Sequence, residues 1–303
     1  MKKTILILFV FLTGCFNTQP PKWYIKEYGD TKNYIFATGE GKTKKSALND
    51  ALSYAASKLK VTINSTYESN KGYINSPENS YENVKQTIIS RVENFSFYDY
   101  QIDKSKKIDG KYYVLIKIDR EKNAKKILKN AQNRLKEIEL HSKTNDKIEI
   151  VKKYPKLINE NKKIISDIYI SKSLYPSSWA DELLQKAVNL KNILERRLNS
   201  VTFYVTNDYE NTLHDSLSAL NQKISNNGIK INQNAKIRKN KAAGLYIYKI
   251  NSTVTLKDKT SHTFEVKCAG KSVSGYEIAK EFAIKQCKEK IKKKLSSILQ
   301  TRP

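Results

Sequence analysis

The sequence predicts an α+β protein in three parts: an N-terminal α/β module, a helical, coiled-coil-like middle segment and a C-terminal α+β module. Three observations carry that reading. Two strand-like runs flank Asp109-Gly110, the dipeptide of a tight hairpin. Ala124, Leu128, Ala131, Leu135 and Ile138 step alternately by four and three, the seam of a long helix. Beyond residue 200, strand-like runs such as Leu245 to Leu256 give way to one amphipathic stretch, Tyr276 to Leu299. The 303 residues leave room for two or three units of ordinary size.

The chain opens on MKKTILILFVFLTGC. Lys2 and Lys3 precede an unbroken apolar run, Ile5 to Leu12, well short of the ~20 residues that a spanning helix requires. Leu12-Thr13-Gly14-Cys15 closes the run as a bacterial lipobox does. Residues 1–15 therefore read as a lipoprotein signal peptide, with Cys15 taking a diacylglycerol and becoming the mature N-terminus. An ordinary secretory signal with a chance cysteine is the alternative. Residues 16–21 (FNTQPP) form a polar linker with two prolines. The rest is expected to be exported and held on a lipid bilayer through Cys15.

Residues 22–120 form the first module. Trp23, Tyr24 and Ile25 begin it, and Asn33 to Thr38 reads as a strand broken at Gly39-Glu40-Gly41. Thr43 to Lys60 follows as a helix, with Ala47, Leu48, Ala51, Leu52, Ala55 and Leu59 at helical spacing. That narrow, alanine-rich stripe suits close packing on a sheet. Val61 to Tyr67 (VTINSTY) alternates as a strand does. Residues 68–80 are polar and read as a loop. Tyr81 to Glu93 presents Val84, Ile88 and Val92 on one helical face. Phe95 to Asp103 and Lys111 to Asp119 complete the hairpin.

These residues carry a resemblance. Pro21-x-Trp23, the strand ending in Gly39-Glu40-Gly41-Lys42, Ser46-Ala47 opening an alanine-spaced helix, and the Asp109-Gly110-Lys111-Tyr112-Tyr113-Val114-Leu115 hairpin are similar to the LPP-twenty lipoprotein family. These are small outer-membrane lipoproteins of ε-proteobacteria, related in fold to the N-terminal module of flagellar assembly lipoproteins. The match covers residues 15–119, about a third of the chain. It implies an anchored, envelope- or flagellum-associated protein and no catalytic residue.

Residues 121–200 read as a helical hairpin or three-helix arm. The seam from Ala124 to Ile138 is followed by an apolar stripe, Ile164, Ile165 and Ile168, and by a second seam, Leu183, Ala187, Leu190, Leu194 and Leu198. Between the last two, Leu174 to Ser178 resets the chain, and Ser178 and Asp181 are spaced as a capping box. Residues 201–303 read β-α-β-β-β-α: Val201 to Val205, a helix from Tyr209 to Ile224, short Ile229 to Ile231, Leu245 to Leu256, His262 to Ala269, and the terminal helix with Ile278, Phe282, Ile291, Leu295 and Ile298 inward. Both modules share a cadence of strand, G-K-[ST] and a helix with spaced alanines, a weak sign of an internal repeat.

Composition bounds the chemistry. The net charge is +26, from 49 lysines and 7 arginines against 30 acids. It rises along the chain, from +4 over residues 22–119 to +9 over 120–200 and +11 over 201–303. Arginine reads phosphates and base edges bidentately, so its scarcity counts against specific nucleic-acid recognition. The bias toward lysine also fits an AT-rich genome. Lys236, Arg238, Lys239 and Lys241 form one cluster. A second lies on the last helix, where Lys290, Lys293 and Lys294 share a face and form the candidate patch for an anionic partner; a merely solvated face is the alternative.

Two glycine motifs fail as nucleotide sites. A P-loop needs G-x-x-x-x-G-K-[ST], and the first glycine would fall at Phe36 for Gly41-Lys42-Thr43 and at Glu265 for Gly270-Lys271-Ser272. Tight strand-to-helix turns are the better reading. His141, His214 and His262 have no ligand spacing, and His214-Asp215-Ser216 holds triad letters that neighbours on one helix cannot use. With Cys15 lipidated, Cys268 and Cys287 remain as an even pair in an oxidising compartment, and a structural disulfide is expected. Together these point to a non-enzymatic outer-membrane lipoprotein that binds or scaffolds at the cell envelope, without cofactor or metal, its partner an envelope protein or anionic polymer. The alternative is a secreted or surface-exposed factor binding host or anionic ligands.

Overall fold

The computed structural model describes residues 19–26, 28–69, 86, 88–92 and 95–299. The leader, Cys15, the start of the linker, most of the 68–80 loop and much of the 81–93 helix lie outside the described residues. Contacts divide the chain into two compact units: residues 1–128 with 169–177, and residues 129–168 with 178–303. The division runs inside helices, not at residues 120 and 200 where the sequence changes character.

In the first unit a short helix α1 (Lys22–Ile25) precedes β1 (Tyr34–Gly41) and α2 (Lys44–Ser69). The hairpin of β2 (Tyr100–Ile108) and β3 (Lys111–Asp119) completes an antiparallel sheet in the order β1-β3-β2. Its turn is the predicted Asp109-Gly110, both residues at positive φ (47° and 75°), the primed-turn geometry that matches strand twist. Residues 88–92 are helical and bury Ile88 and Val92. The predicted strand Val61 to Tyr67 is instead the last part of α2. Ile63 continues the buried series Ala47, Ala51, Ala55 and Leu59, and the Thr62 hydroxyl bonds back to the Lys58 carbonyl at 3.1 Å. Burial of one helical stripe outweighs the β preference of Val, Thr and Ile. The predicted strand from Phe95 starts only at Tyr100. Before it, buried Asn123 accepts the Tyr98 and Asp99 amides and donates to the carbonyls of Asp99 and Asp119.

The middle of the chain is three helices: α3 (Arg120–His141), α4 (Lys147–Leu174) and α5 (Ser178–Asn199). Every member of the Ala124–Ile138 seam is buried, as are Leu183, Ala187, Leu190 and Leu194. Helix α5 opens at Ser178, so Ser177 takes the cap position assigned to Ser178. In the second unit, Asp146 caps α4 by accepting the Ile148 amide at 2.8 Å.

The rest of the second unit is a four-stranded sheet, order β4-β5-β6-β7, with α7 (Tyr276–Leu299) on one face. The strands are β4 (Phe203–Asn207), β5 (Ile229–Ala242), β6 (Leu245–Lys257) and β7 (Ser261–Ser272). The predicted Tyr209–Ile224 helix is a 3₁₀ turn (Tyr209–Asn211) followed by α6 (Thr212–Ser218). Strand β5 is far longer than the expected Ile229–Ile231. The inward stripe of α7 is Ala279, Ala283, Cys287, Ile291, Leu295 and Leu299, while Ile278 and Phe282, expected inward, are 40% and 55% exposed.

The two units share an arrangement, in permuted order, although the G-K-[ST] triplets of the suspected repeat do not correspond, Gly270 matching Gly39 and not Gly41. Each unit holds an edge strand running into a helix, β1–α2 or β7–α7, beside a hairpin, β2–β3 or β5–β6, whose second strand is central. In the first unit the hairpin follows the strand–helix pair; in the second it precedes it. Residue-level matches are close. Gly39 lies opposite Val114 and Gly270 opposite Tyr248. A Cβ on Gly39 would meet the Ala47 carbonyl and Ala51 amide, and one on Gly270 those of Ala279 and Ala283. The expected tight strand-to-helix turns are present, between Gly41 and Lys44 and between Ser272 and Tyr276, while Gly39 and Gly270 inside the strands serve close helix approach. The helical series Ala47, Ala51, Ala55, Leu59, Ile63 matches Ala279, Ala283, Cys287, Ile291, Leu295, all buried. The hairpins match too: the Ala243-Gly244 turn is left-handed like Asp109-Gly110, and Lys107 lies over Tyr112 as Lys241 lies over Tyr246.

Candidate functional site

The two faces of the second sheet differ in kind. Strand alternation sends one set of side chains toward α7: Tyr248, Ile250, Val254 and Leu256 of β6 with Val266 and Cys268 of β7, all buried. Cys268 and Cys287 are joined there by a disulfide, tying β7 to α7. The opposite set forms an open face. From β5 it takes Lys230, Lys236 and Arg238; from β6, Lys249 and Lys257; from β7, Lys267 and Lys271, all exposed. Register sets them in rows: Lys230 beside Lys257, Lys236 beside Asn251 and then Lys267, Arg238 beside Lys249. Neighbouring strands lie about 4.8 Å apart, so these cations repel across the sheet.

That repulsion is not relieved internally. Among the described residues, no carboxylate lies within ion-pair distance of any of the seven, and Glu265 is the one acid on the three paired strands of this face. Between the cations stand amides and hydroxyls: Asn232, Asn234 and Asn251, with Thr255 and Thr263 hydroxyls 3.1 Å apart. This mixture offers positive charge and hydrogen bonds, with Tyr204 beside Lys230 and Ile247 between Asn240 and Lys271 as apolar contacts at opposite ends of the face.

The sequence saw this charge but not its placement. Lys236 and Arg238 face outward on β5, whereas Lys239 and Lys241 alternate to the helix side. There Lys239 stands 5.7 Å from the ring centres of Tyr248 and Tyr276, and the Lys241 ammonium donates to the Tyr246 hydroxyl at 3.1 Å. Nearby, the Tyr209 and Tyr248 hydroxyls are 2.9 Å apart, and burial followed by this bond pushes Tyr209 well above the ordinary phenol range. The expected patch on α7 is divided. Lys293 and Lys294 are exposed, but the Lys290 ammonium donates to the Lys267 carbonyl at 2.6 Å and to Gln286 at 3.3 Å. The only sequence signal for the open face was the Lys236–Lys241 cluster.

Other candidates are structurally engaged. The Glu40 amide donates to the Asp50 carboxylate at 2.9 Å, and Thr43 and Ser46 cap α2 reciprocally, so an anion finds these amides occupied. His214 Nδ1 lies 2.8 Å from Asp208, whose carboxylate also accepts the Leu213 and His214 amides. Ser216 donates to the Thr212 and Lys288 carbonyls, away from any base. A cavity of about 520 Å³ lies beside α3 and α4, floored by Ile138, Leu157 and Ile164. Three of its charged side chains are paired, Arg134 with Asp167 and Glu160, and Lys153 with Glu149.

No family model matches the chain, and no curated protein matches it. Among solved structures, the secreted protein HP1454 from the human pathogen Helicobacter pylori is similar over 76% of this chain and 85% of that one, at 12% identity and a TM-score of 0.46. A likeness of that grade carries no argument about fold or function.

Proposed function

We propose that this chain is an exported, lipid-anchored, non-enzymatic protein of the cell envelope that binds an anionic polysaccharide on the open face of its second sheet. The LPP-twenty-like motifs and the lipobox at Cys15 support anchoring at the outer membrane. The disulfide between Cys268 and Cys287 agrees with folding in an oxidising compartment. The observation that carries the binding function is the set of seven cations on one sheet face, none with a carboxylate at ion-pair distance among the described residues. Like charges on neighbouring strands lower stability, and a partner that brings carboxylates or sulfates relieves them.

Polysaccharide fits better than the other anionic surfaces. Asparagine and threonine between the lysines match sugar hydroxyls, while a bilayer surface favours a continuous set of inserted apolar groups; here Tyr204 and Ile247 stand at opposite ends of the face. Arg238 is its one guanidinium, too few for phosphate-backbone recognition by bidentate forks. Two experiments test the reading. Radiolabelled palmitate should enter the wild-type chain and not Cys15→Ser. The intact lipoprotein in detergent should bind polygalacturonate, and Lys236→Gln/Lys249→Gln/Lys267→Gln should weaken that binding at least tenfold. No label, or full binding by the triple variant, contradicts the corresponding half.

A further inference from the structure

We propose that the edge of β7 at Lys271 docks a short extended segment of another protein, in which apolar and acidic side chains alternate.

The shared, permuted arrangement makes this edge stand out, because the same edge exists twice. In the first unit the outer side of β1 is closed by side chains: the Lys58 ammonium donates to the Phe36 carbonyl at 3.0 Å, and the Asp50 carboxylate accepts the Glu40 amide at 2.9 Å. In the second unit the first closure is reproduced, Lys290 donating to the Lys267 carbonyl at 2.6 Å. Gln286 adds another by accepting the Ala269 amide at 2.9 Å. The Ala269 amide thus points to the open edge, and the Lys271 amide, two residues on, points the same way.

At Lys271 the closure stops. The helix position that holds Asp50 in the first unit is Phe282 in the second, which cannot accept a hydrogen bond. Phe282 is 55% exposed, Ile278 one turn before it 40%, and Val273 beyond the strand 75%. Among the described residues nothing pairs the Lys271 amide, and the open strand edge there lies beside two exposed apolar side chains of α7, Ile278 and Phe282. On the other side it adjoins Lys249, Lys267 and Lys271 of the basic face.

These surroundings specify the occupant. A segment adding to β7 alternates its side chains between the two faces. Those on the helix side meet Ile278 and Phe282 and are apolar; those on the open side meet lysines and are acidic. A second copy of this chain would bring Lys267 and Lys271 against themselves, the charge that keeps edge strands from self-pairing. The acidic half of the pattern rests on the basic face described above; the edge and the apolar half do not.

The probe is a fluorescent octapeptide alternating isoleucine and aspartate, titrated against the full-length chain in detergent. Three comparisons accompany it: an isoleucine–lysine octapeptide, an isoleucine–aspartate peptide N-methylated at alternate backbone amides, and the variant Phe282→Asp, which restores the carboxylate of the first unit. Saturable binding of the first peptide is expected, at least tenfold weaker to Phe282→Asp and lost on N-methylation, with no binding of the lysine peptide. The N-methylated arm needs no protein variant, so a misfolded Phe282→Asp does not blunt the test. Absence of saturable binding overturns the proposal, as does equal binding of the N-methylated peptide, which would be charge attraction alone. Cross-linking of residue 271 between two copies overturns it in favour of a dimer. Polygalacturonate binding, measured on the same samples, separates this outcome from failure of the polysaccharide reading.

Discussion

The ammonium of Lys290 donates to the backbone carbonyl of Lys267, 2.6 Å away, and so closes part of the β7 edge from the helix. It is a structural contact, matched by Lys58 and Phe36 in the first unit. Lys290→Met should lower the melting temperature modestly, by the ~1 kcal/mol of one such bond. Lys293→Gln should leave it unchanged. Neither should alter polygalacturonate binding; thermal melts and titrations of both variants check this.

Ala37 and Ala55 occupy in the first unit the places of Cys268 and Cys287 in the second. Both are buried, 2% and 0% exposed, on the edge strand and on the helix it enters. Ala37→Cys with Ala55→Cys should therefore form a second disulfide on oxidation, found by non-reducing peptide mapping. A loop of this size stabilises by about 3 kcal/mol in the chain-entropy model. Two freely alkylated thiols in the folded variant would refute the residue-level match.

Ala243 sits at φ 47° in the β5–β6 turn, where its Cβ crowds the backbone. The equivalent residue in the first hairpin is Asp109, a type that tolerates this region. Ala243→Asn should raise stability by roughly 0.5–1 kcal/mol in denaturant titrations. An unchanged or lowered midpoint would show that the turn does not carry that cost.

Asp146 has its carboxylic acid pKa held below the ordinary range. Burial opposes this, but hydrogen bonds from Thr260 and from the Ile148 and Glu149 amides outweigh it. A depressed folded pKa gives stability that is present above the unfolded value, about 3.9, and is lost as pH falls through the folded one. Asp146→Ala should remove that acid-side loss and cost about 1–2 kcal/mol at neutral pH as a lost cap. Unfolding titrations from neutral pH to pH 2 of parent and variant read both effects.

Much of the frame was legible because it rests on strong local chemistry. Asp109-Gly110 can hardly be other than a turn between alternating runs, and Tyr276 to Leu299 is a long run free of glycine and proline that follows Gly275. Val61 to Tyr67 misled because its alternation is real, while the decisive fact, Ile63 in line with Ala55 and Leu59, is a property of packing. Strand β5 was missed beyond Ile231 because its later residues lack an apolar period: one side faces solvent and the other carries Lys239 and Lys241. With the strand went the site, since Lys236 and Arg238 separate from Lys239 and Lys241 only once alternation is known. The stripe of α7 was misplaced for a related reason. Close approach at Gly270 admits Ala279 and Ala283, so the larger Ile278 and Phe282 turn outward.

The central claim is that the seven cations of the open sheet face bind an anionic polysaccharide. Calorimetric titration of the full-length lipoprotein with polygalacturonate, from low to physiological salt, tests it most directly. The parent should bind saturably and weaken steeply as salt rises and the Debye length falls to about 8 Å. Lys236→Gln/Lys249→Gln/Lys267→Gln should bind at least tenfold more weakly with a flatter salt dependence, while Lys290→Gln/Lys293→Gln/Lys294→Gln should follow the parent. Equal binding by parent and the sheet-face variant, or loss confined to the helix variant, would contradict the account.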